Sequence, residues 1–279
     1  MLRLNGEIVN FGRFPVGEKE LKISEIKKRA SMLDIVLKYE SDEDIINLIF
    51  LKRTIDDTAY GKSVNLHITY MPYSRMDRTE GTKAFTLKYI CELINNLKFN
   101  KVFVITPHSD VCVALLDRCT PIDFSENLFY EYHKQLHFNN SCDYVYFSDM
   151  SAEKLRGRVI NVPNTLVGNK HRDFETGNID RLDVYGDTSK ITKDSKVVMI
   201  DDLCSRGTTF IKGAEKLREL GFKRIDLIVT HCEKAIFDGE IFESDLIDKV
   251  WTTNSIIGEN DLGSNFNEYK NNLSILDIF

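Results

Sequence analysis

Two adjacent carboxylates, Asp201 and Asp202, stand just before a loop of small and hydroxyl-bearing residues, Ser205 to Thr209. Backbone N–H groups of such a loop, at the start of a helix, can hold a phosphate, and the hydroxyl groups add further donors. Carboxylates repel a phosphate, but they accept hydrogen bonds from sugar hydroxyls and are ligands that Mg²⁺ prefers. The pattern therefore predicts a phosphate site beside acceptors for a sugar or a magnesium ion. The alternative is an ordinary strand end and helix cap.

The elements around this loop are predicted to be a strand, a helix and a second strand. Residues 197–200 form a continuous apolar run, which is typical of a parallel strand buried on both faces. Residues 210–220 carry apolar side chains at helical spacing, Gly221 suits a C-terminal cap, and residues 225–229 are again apolar. In such a unit the first loop lies at the carboxyl end of a strand, where open α/β sheets bind ligands. The loop matches neither a Walker A motif nor the dinucleotide-binding glycine pattern.

Charged residues also follow two other predicted strands. Residues 64–71 and 101–106 are predicted strands, followed by Arg75 and Asp77 in one loop and by His108 in the other. Because the carboxyl ends of parallel strands meet at one edge of a sheet, we expect these side chains to lie near a ligand. A solvated loop and a structural histidine are the alternatives.

The segment 168–187 is rich in charge and poor in apolar residues, and it is predicted to be a mobile surface loop. It carries Lys170 and Arg172. A charge run is commonly a solvated face, but a flexible arm with Lys and Arg can also close over a polyphosphate during its transfer. The segment is therefore a second candidate for phosphate binding.

Composition narrows the class of protein. The chain has 279 residues, of which 42% are hydrophobic, and a formal net charge of -6. This charge argues against a general affinity for nucleic acid, and no apolar stretch is long enough to span a bilayer. The cysteines lack paired CxxC spacing, and the N-terminus lacks an apolar secretory segment. We therefore expect a soluble cytoplasmic protein with reduced thiols.

The order of the predicted elements indicates an α/β protein of two domains, each with a mostly parallel sheet flanked by helices. The other predicted elements are short strands within 1–23, helices over 42–55 and 83–97, and strands at 144–147, 158–162, 196–200 and 249–253. The second half begins near residue 143. We therefore place the two domains at residues 1–142 and 143–279.

In chain order, these residues resemble the ribose-phosphate pyrophosphokinase family, whose members make phosphoribosyl pyrophosphate. The matching segments follow the family order and are Gly12 to Glu18, Tyr73 to Arg78, Pro107-His108, Ser148-Asp149, Lys170 to Arg172, Asp201-Asp202 with its loop, Thr230-His231 and Phe279. The resemblance implies two phosphoribosyltransferase-like domains, with ATP on the first and the ribose phosphate on the second. It also implies a homo-oligomer, a dimer or a hexamer.

On the ATP side, the resemblance implies a role for each matching residue. Phe14 and Glu18 would reach the ATP of a neighbouring subunit. Arg75 and Asp77 would contact ATP, and His108 would act in catalysis by touching the ATP phosphates or the Mg²⁺ bound to them. The implied cofactor is Mg²⁺, and ATP is a substrate.

On the ribose-phosphate side, Asp149 would be a further acidic ligand near magnesium, and Lys170 and Arg172 would close over the reacting phosphates. Asp201 and Asp202 would hold the ribose hydroxyls. The 5-phosphate would be held by the loop of Ser205, Arg206, Gly207, Thr208 and Thr209. The implied reaction is attack of the anomeric hydroxyl of ribose on the β-phosphorus of ATP, with release of AMP.

This loop also departs from the family, in which it reads Asp-Thr-Gly-Gly-Thr. Ser205 and Arg206 remove a carboxylate and add a cation. An added arginine suits a more extended phosphate group, as in ADP-ribose, a substrate associated with some viral relatives of the family. The acceptor is therefore expected to be ribose 5-phosphate, giving phosphoribosyl pyrophosphate, or ADP-ribose, giving ADP-ribose pyrophosphate in NAD salvage.

Other departures keep two further functions open. Val16 and Thr106 each replace a family aspartate, and the family's first strand and helix are expected to be missing or rebuilt. One alternative is therefore an inactive regulatory homologue that binds a true synthetase. The other is a nucleobase phosphoribosyltransferase, which the Asp201-Asp202 loop alone would permit.

Overall fold

The structure of the chain is a computed structural model that describes residues 1–22, 32–79, 81–172, 179–258, 261–262, 269 and 271–279. It divides into two compact units, residues 1–123 with Phe279 and residues 124–278. Each unit contains one mainly parallel sheet with flanking helices, which confirms the predicted α/β class. Among the described residues, no helix has the length and apolar character needed to cross a membrane.

The first unit carries a main sheet and a separate hairpin. Its described elements are β1 (Leu2–Leu4), β2 (Glu7–Ile8), β3 (Phe11–Arg13), β4 (Lys19–Leu21), β5 (Met32–Leu37), α1 (Glu43–Thr58), β6 (Ser63–Ile68), α2 (Thr86–Asn96), β7 (Lys101–Ile105), α3 (Asp110–Leu115) and β8 (Cys119–Ile122). The sheet order is β2-β1-β5-β6-β7-β8, with β5 to β8 parallel, while β3 and β4 pair antiparallel. The predicted strands before Arg75 and His108 and both predicted helices are confirmed.

The core of the first unit lies on one face of this sheet. In β5, Leu33, Ile35 and Leu37 are at most 1% exposed, because alternate strand residues point to the same face. Leu48 and Leu51 of α1 are 0% exposed and belong to the same cluster. The strands are therefore anchored in a packed core, and the charged loops depart from the ends of these strands.

The second unit is built on a longer sheet. Its described elements are α4 (Ser125–Leu136), β9 (Tyr144–Phe147), α5 (Met150–Arg156), β10 (Thr165–Arg172), β11 (Ile179–Tyr185), β12 (Lys196–Cys204), α6 (Thr208–Glu219), β13 (Arg224–Cys232), a 3-10 helix (Lys234–Asp238), β14 (Lys249–Thr253) and β15 (Leu273–Leu276). The order is β11-β10-β9-β12-β13-β14-β15, and only β10 and β11 pair antiparallel. Residues 197–200 of the central β12 are at most 1% exposed, which confirms the predicted buried strand.

The division between the units falls before α4, whereas the sequence analysis placed it near residue 143. Leu128 and Tyr132 of α4 lie in one buried cluster with Val198, Ile228 and Trp251 of the second sheet. The helix therefore packs on the second sheet. Trp251 is 3% exposed, in agreement with a core position.

The strand predicted at residues 158–162 is wrong. The N–H groups of Val159 and Ile160 both donate to Arg156 O, so this stretch closes the turn that ends α5. Ile160 is 3% exposed and packs in the core from that turn. An apolar residue buried at a helix end gave the same local pattern as a short strand.

The loop predicted over residues 168–187 is also wrong for most of its length. β10 and β11 pair antiparallel from Val167 with Tyr185 to Arg172 with Ile179, with a register shift after His171. Backbone hydrogen bonds hold such a hairpin without a fully apolar sequence, which is why its charge misled the prediction.

Candidate active site

Asp201 and Asp202 lie where the central strand loses one of its two neighbours. Pairing of β12 with β9 ends at Ile200, whereas pairing with β13 continues to Cys204. The carboxylates are thus at the carboxyl end of the sheet, as predicted, but inside a strand that is longer than predicted. Ligands of open parallel sheets approach at this kind of edge.

Asp201 and Asp202 bring two negative charges close together at a desolvated position. The Ser148 hydroxyl donates to Asp201 Oδ2, and the Asp202 N–H donates to Asp201 Oδ1 at 2.9 Å. Desolvation by burial, followed by the charge of Asp202, raises the pKa of Asp201 well above its usual range, while the bond from Ser148 opposes this rise. A ligand that brings hydroxyl donors or a cation would relieve the repulsion. Ser148 is a residue to which the sequence analysis gave no role.

Asp201→Asn is expected to change how the stability of the protein depends on pH. Because the pKa of Asp201 is higher in the folded chain, its contribution to stability is full below its ordinary pKa and is lost as pH rises through the folded value. Asparagine does not titrate, so the variant does not lose this stability as the pH rises. Its free energy of unfolding relative to wild type should therefore increase between about pH 4 and about pH 8.

Urea denaturation at several pH values measures this difference. Asp194→Asn is the matched control, because Asp194 is exposed in the turn before β12. A difference for Asp201→Asn that stays constant with pH, as for the control, would contradict the expectation.

The loop after β12 leads into the positive end of α6. The first helical hydrogen bonds of α6 come from the N–H groups of Phe210 and Ile211, which reach Gly207 O at 2.8 and 3.0 Å. The N–H groups of Thr208 and Thr209 precede these bonds, so they lie at the helix end that attracts anions. This is the arrangement that a phosphate cradle needs, and it directly follows the strand that carries the carboxylates. Phosphate binding by the loop stays a prediction.

The segment that follows the 3-10 helix packs against the loop between β12 and α6. Gly207 has a φ of +83°, and a Cβ built on it would lie 2.2 Å from Ile241 Cδ1. A Cβ on Gly239 would lie 2.0 Å from Arg206 O, which is backbone. Gly239 and Ile241 were not predicted as residues of the site. Their only local signal is a glycine at the end of a helical turn.

β10 brings Lys170 to the same edge of the sheet. Val167 of β10, Phe147 of β9 and Ile200 of β12 are in register. Lys170 is three residues beyond Val167 in the parallel direction, which is roughly 10 Å at the rise of a strand. The side chains of residues 170–172 lie outside the described part of the structure, so the catalytic role of Lys170 and Arg172 stays a prediction.

Glycine at position 168 allows β10 to pass close to the carboxylate site. A Cβ on Gly168 would lie 2.7 Å from Ser148 O and 2.3 Å from Tyr146 Oη. Ser148 is also the residue whose hydroxyl bonds Asp201. Ser148 therefore contacts β10 through its backbone oxygen and orients Asp201 through its hydroxyl.

The predicted metal ligand Asp149 has a structural role in this fold. It is the N-cap residue of α5, and its Oδ1 accepts from the N–H groups of Ser151 at 3.1 Å and Ala152 at 2.9 Å. Across the described part of the chain, no three His, Cys, Asp or Glu side chains gather in a way that could hold a metal ion. The other predicted metal residue, His108, belongs to the first unit. Metal binding by these two residues stays a prediction.

In the first unit, Arg75, Asp77 and His108 follow two neighbouring parallel strands. β6 and β7 pair up to Ile68 and Val104, and the loops that carry these three residues come directly after them. Arg75 is exposed, whereas Asp77 and His108 are half-buried. The structure thus brings both loops to the carboxyl edge of one sheet, as predicted.

Two residues of these loops have a left-handed backbone that is unusual for side chains of their size. Tyr73 has a φ of +61° and Thr106 a φ of +36°. Such conformations cost roughly 1–3 kcal/mol each and concentrate at active sites and ligand clamps. The outliers therefore support a functional role for this edge of the first unit.

The hairpin of β3 and β4 and the start of α1 enclose a cavity of about 830 Å³. Its lining residues are Phe14, Gly17, Glu18, Lys19, Asp42, Glu43, Ile45, Ile46, Phe50, Tyr73 and Ile90. Small-molecule sites have volumes of roughly 300–1,000 Å³. Phe14 and Glu18 both line the cavity, and Tyr73 is in the loop that carries Arg75 and Asp77.

These features define a class of protein. The chain contains two mainly parallel sheets, and the second carries a carboxylate pair and a hydroxyl-rich helix start at its edge. This is the phosphoribosyltransferase-like fold. The solved structure of phosphoribosylpyrophosphate synthetase from Mycobacterium smegmatis superposes with a TM-score of 0.70. The identity is 18%, and the match covers 97% of this chain and 86% of that one.

Curated relatives of similar sequence belong to the same kind of protein. The ribose-phosphate pyrophosphokinase of Pyrococcus abyssi is 25% identical over 235 residues, covering 81% of this chain and 78% of the relative. Its counterpart in Pyrococcus furiosus is 26% identical over 263 residues, covering 89% and 86%. The chain matches no family model. It is thus similar, over most of its length, to diphosphotransferases of the ribose-phosphate pyrophosphokinase type.

Proposed function

We propose that this chain transfers diphosphate from ATP to the anomeric hydroxyl of a ribose 5-phosphate unit and releases AMP. The observation that supports this best is the carboxylate pair Asp201-Asp202 beside the start of α6, because it offers acceptors for sugar hydroxyls next to donors for a phosphate. Ribose 5-phosphate carries both kinds of group on one small molecule. The reaction itself is inferred from the names of the similar proteins, which are ribose-phosphate pyrophosphokinases.

In the proposed reaction, the anomeric oxygen bonds to the β-phosphorus of ATP while the bond from that phosphorus to the oxygen bridging the α-phosphorus breaks. AMP keeps the bridging oxygen, and the proton of the hydroxyl is released. The chain must align the reactants and neutralise the negative charge that spreads over the diphosphate. Alignment contributes roughly 7–11 kcal/mol in favourable systems.

The proposed roles follow the position of each residue. Asp201 and Asp202 orient the ribose through its hydroxyls, and the N–H groups at Thr208 and Thr209 hold the 5-phosphate. Lys170 and Arg172, on the strand that ends at the same edge, supply positive charge to the transferred diphosphate. Arg75, Asp77 and His108 bind ATP on the first unit, and Phe14 and Glu18 reach the ATP of a neighbouring subunit. The homo-oligomer that the resemblance implies remains an expectation, to be measured by light scattering.

Mg²⁺ would neutralise part of the phosphate charge of ATP when bound. Carboxylate oxygens are the donors that this ion prefers, so the acidic residues of the candidate site fit it. Asp149 is the proposed protein ligand, although its Oδ1 also caps α5. His108, an imidazole, is better suited to the phosphates than to the ion itself.

The test supplies purified chain with ATP and Mg²⁺, either alone, with ribose 5-phosphate or with ADP-ribose, and measures AMP and the sugar product by chromatography. AMP is expected only when an acceptor is present. Failure to form AMP with either acceptor, or equal AMP without one, would refute the proposal. In the same assay, nucleotide formation from phosphoribosyl pyrophosphate and a base would identify a phosphoribosyltransferase. A changed rate of an added synthetase would identify a regulatory homologue.

ADP-ribose is the second candidate acceptor, and the position of Arg206 favours it. Arg206 is exposed, beside the phosphate cradle and one residue before Gly207. A guanidinium there can bond the additional phosphate of ADP-ribose, which free ribose 5-phosphate lacks.

Arg206→Ala is expected to lower kcat/KM for ADP-ribose by roughly 10-fold or more, since hydrogen bonds to charged groups contribute this much. The value for ribose 5-phosphate should stay nearly unchanged. Arg158→Ala, at an exposed position after α5, is the control. Equal losses on both acceptors would remove Arg206 as the residue that selects between them.

A further inference from the structure

The carboxylate of Asp201 is held from two sides. Its Oδ1 accepts from the N–H group of Asp202 at 2.9 Å, and its Oδ2 accepts from the hydroxyl of Ser148. The first bond joins neighbours in the sequence, whereas Ser148 lies 53 residues away and directly follows β9. The hydroxyl of Ser148 therefore ties the carboxylate to a second element of the sheet.

The position of Ser148 follows from the register of the parallel strands β9 and β12, in which Tyr146 pairs with Met199. Two residues further along each strand, Ser148 stands opposite Asp201. Alternate residues of a strand point to the same face. Tyr146 and Met199 belong to the buried cluster that also contains apolar residues of α6. The bond from Ser148 therefore lies on the side of the sheet that α6 covers, and the proposed phosphate loop is the start of that helix.

A ligand can reach Asp201 but not Ser148. Ser148 is 1% exposed, whereas Asp201 is half-buried. Strand β10 packs against Ser148, since a Cβ on Gly168 would lie 2.7 Å from Ser148 O. Ser148 can therefore act on a bound sugar only through the carboxylate of Asp201.

The backbone of Ser148 is fixed both before and after this residue. Before it, β9 pairs with β10 and with β12 up to Phe147. After it, the side chain of Asp149 caps α5. A hydroxyl on such a backbone can hold a neighbouring side chain in one orientation. Groups that are oriented before binding lose less freedom when the ligand arrives, which raises affinity.

We infer that Ser148 is a positioning residue, whose hydroxyl fixes the orientation in which Asp201 accepts hydrogen bonds from the hydroxyls of the ribose. The inference rests on the proposed binding of a ribose 5-phosphate unit, and it adds a residue that does not contact this substrate. An ionised carboxylate has about four acceptor positions, so Asp201 can accept from Ser148, from Asp202 and from a sugar hydroxyl together. Without the hydroxyl of Ser148 the carboxylate can rotate, and its orientation must be recovered when the sugar binds.

Titration calorimetry of Ser148→Ala tests the inference without turnover. Ribose 5-phosphate, and ADP-ribose in a second series, is added to the chain with Mg²⁺ and α,β-methylene-ATP, which lacks the bridging oxygen whose bond breaks in the proposed transfer. The Kd of the acceptor is expected to rise roughly 10-fold or more, because hydrogen bonds to charged groups contribute this much. The Kd of α,β-methylene-ATP, titrated separately, should stay nearly unchanged.

Ser195→Ala is the matched control. Ser195 is also 1% exposed, and its Oγ accepts from the N–H group of Thr192 at 2.9 Å in the turn before β12. This variant should bind the acceptor as wild type does. Ser148→Thr keeps the hydroxyl and should recover much of the affinity that Ser148→Ala loses.

Three calorimetric results would overturn the inference. The first is an unchanged acceptor Kd in Ser148→Ala. The second is an equal rise in the Kd of α,β-methylene-ATP, because a general loss of structure has that effect. The third is a Ser148→Thr variant that binds the acceptor as weakly as Ser148→Ala.

A double-mutant cycle on kcat/KM for the acceptor checks that Ser148 acts through Asp201. In the Asp201→Asn background, Ser148→Ala should have a much smaller effect than in wild type, since the charge that the hydroxyl orients is gone. Losses that multiply would contradict the inference. If wild type binds an acceptor but forms no AMP, the proposed reaction is refuted, and the calorimetric comparison still decides the role of Ser148. Binding of neither acceptor would refute both.

Discussion

Lys170→Ala is expected to lower the turnover number of diphosphate transfer by about 10²- to 10³-fold, the loss typical of removing one group that stabilises transition-state charge. The physical reason is the position of β10. Its backbone carries Lys170 past the level at which Phe147 and Ile200 end their pairing, toward the edge that holds Asp201. A cation on this strand can act on the diphosphate without contacting the ribose hydroxyls.

The KM for the sugar acceptor should therefore change much less than the turnover number. Steady-state kinetics with ATP and the preferred acceptor measures both, and thermal unfolding and light scattering check the fold and the oligomer. Lys193→Ala is the control, because Lys193 is exposed in the turn before β12. If Lys170→Ala keeps a turnover close to that of Lys193→Ala, Lys170 is not catalytic.

Gly239→Ala is expected to raise the KM for the sugar acceptor by roughly 5-fold or more, although Gly239 contacts no substrate in the proposed site. A Cβ at this position would lie 2.0 Å from Arg206 O and 2.8 Å from its carbonyl carbon. Backbone atoms cannot rotate away, so either the phosphate loop or the segment after the 3-10 helix must move. Overpacking of this kind costs about 1–3 kcal/mol. If this cost falls on the ligand-bound form of the loop, the KM rises by roughly 5- to 150-fold.

Steady-state kinetics and urea denaturation separate the two ways of relieving this overlap. Displacement of the phosphate loop raises the acceptor KM, whereas displacement of the outer segment alone lowers stability and leaves the KM unchanged. The second result would contradict the role assigned to Gly239. Gly12→Ala is the comparison, because the short contact of its new Cβ, 2.9 Å, is with Oε2 at the far end of the Glu20 side chain, which can rotate away, while the Glu20 backbone oxygen lies at 3.7 Å.

Local patterns were sufficient to predict the unit around the carboxylates. The continuous apolar run of β12 and the helical spacing of α6 each report burial through neighbours in sequence, so the residue order alone reveals them. The same reasoning failed for residues 158–162, where buried Ile160 packs from a helix end rather than from a strand. It failed again for β10 and β11, because cross-strand pairing leaves little trace in a charged sequence.

The boundary between the units shows a second limit of prediction from the sequence. Residues 125–136, which form α4, fall within the predicted first domain of residues 1–142, but Leu128 and Tyr132 pack on the second sheet. Which sheet covers a helix depends on the free energy of burying its apolar face, and the helix sequence alone does not name its partner.

The amino-acid sequence by itself determined the central strand, the carboxylates Asp201 and Asp202 after it, and the hydroxyl-bearing loop that starts α6. Each of these is a property of neighbouring residues. Only the tertiary structure decided that Ser148 bonds Asp201, that Gly239 lies against the backbone of Arg206 in the loop before α6, and that Tyr39 and Tyr73 both bond Asp42. These contacts join distant parts of the chain, and they exist only because strand order and loop packing bring those parts together.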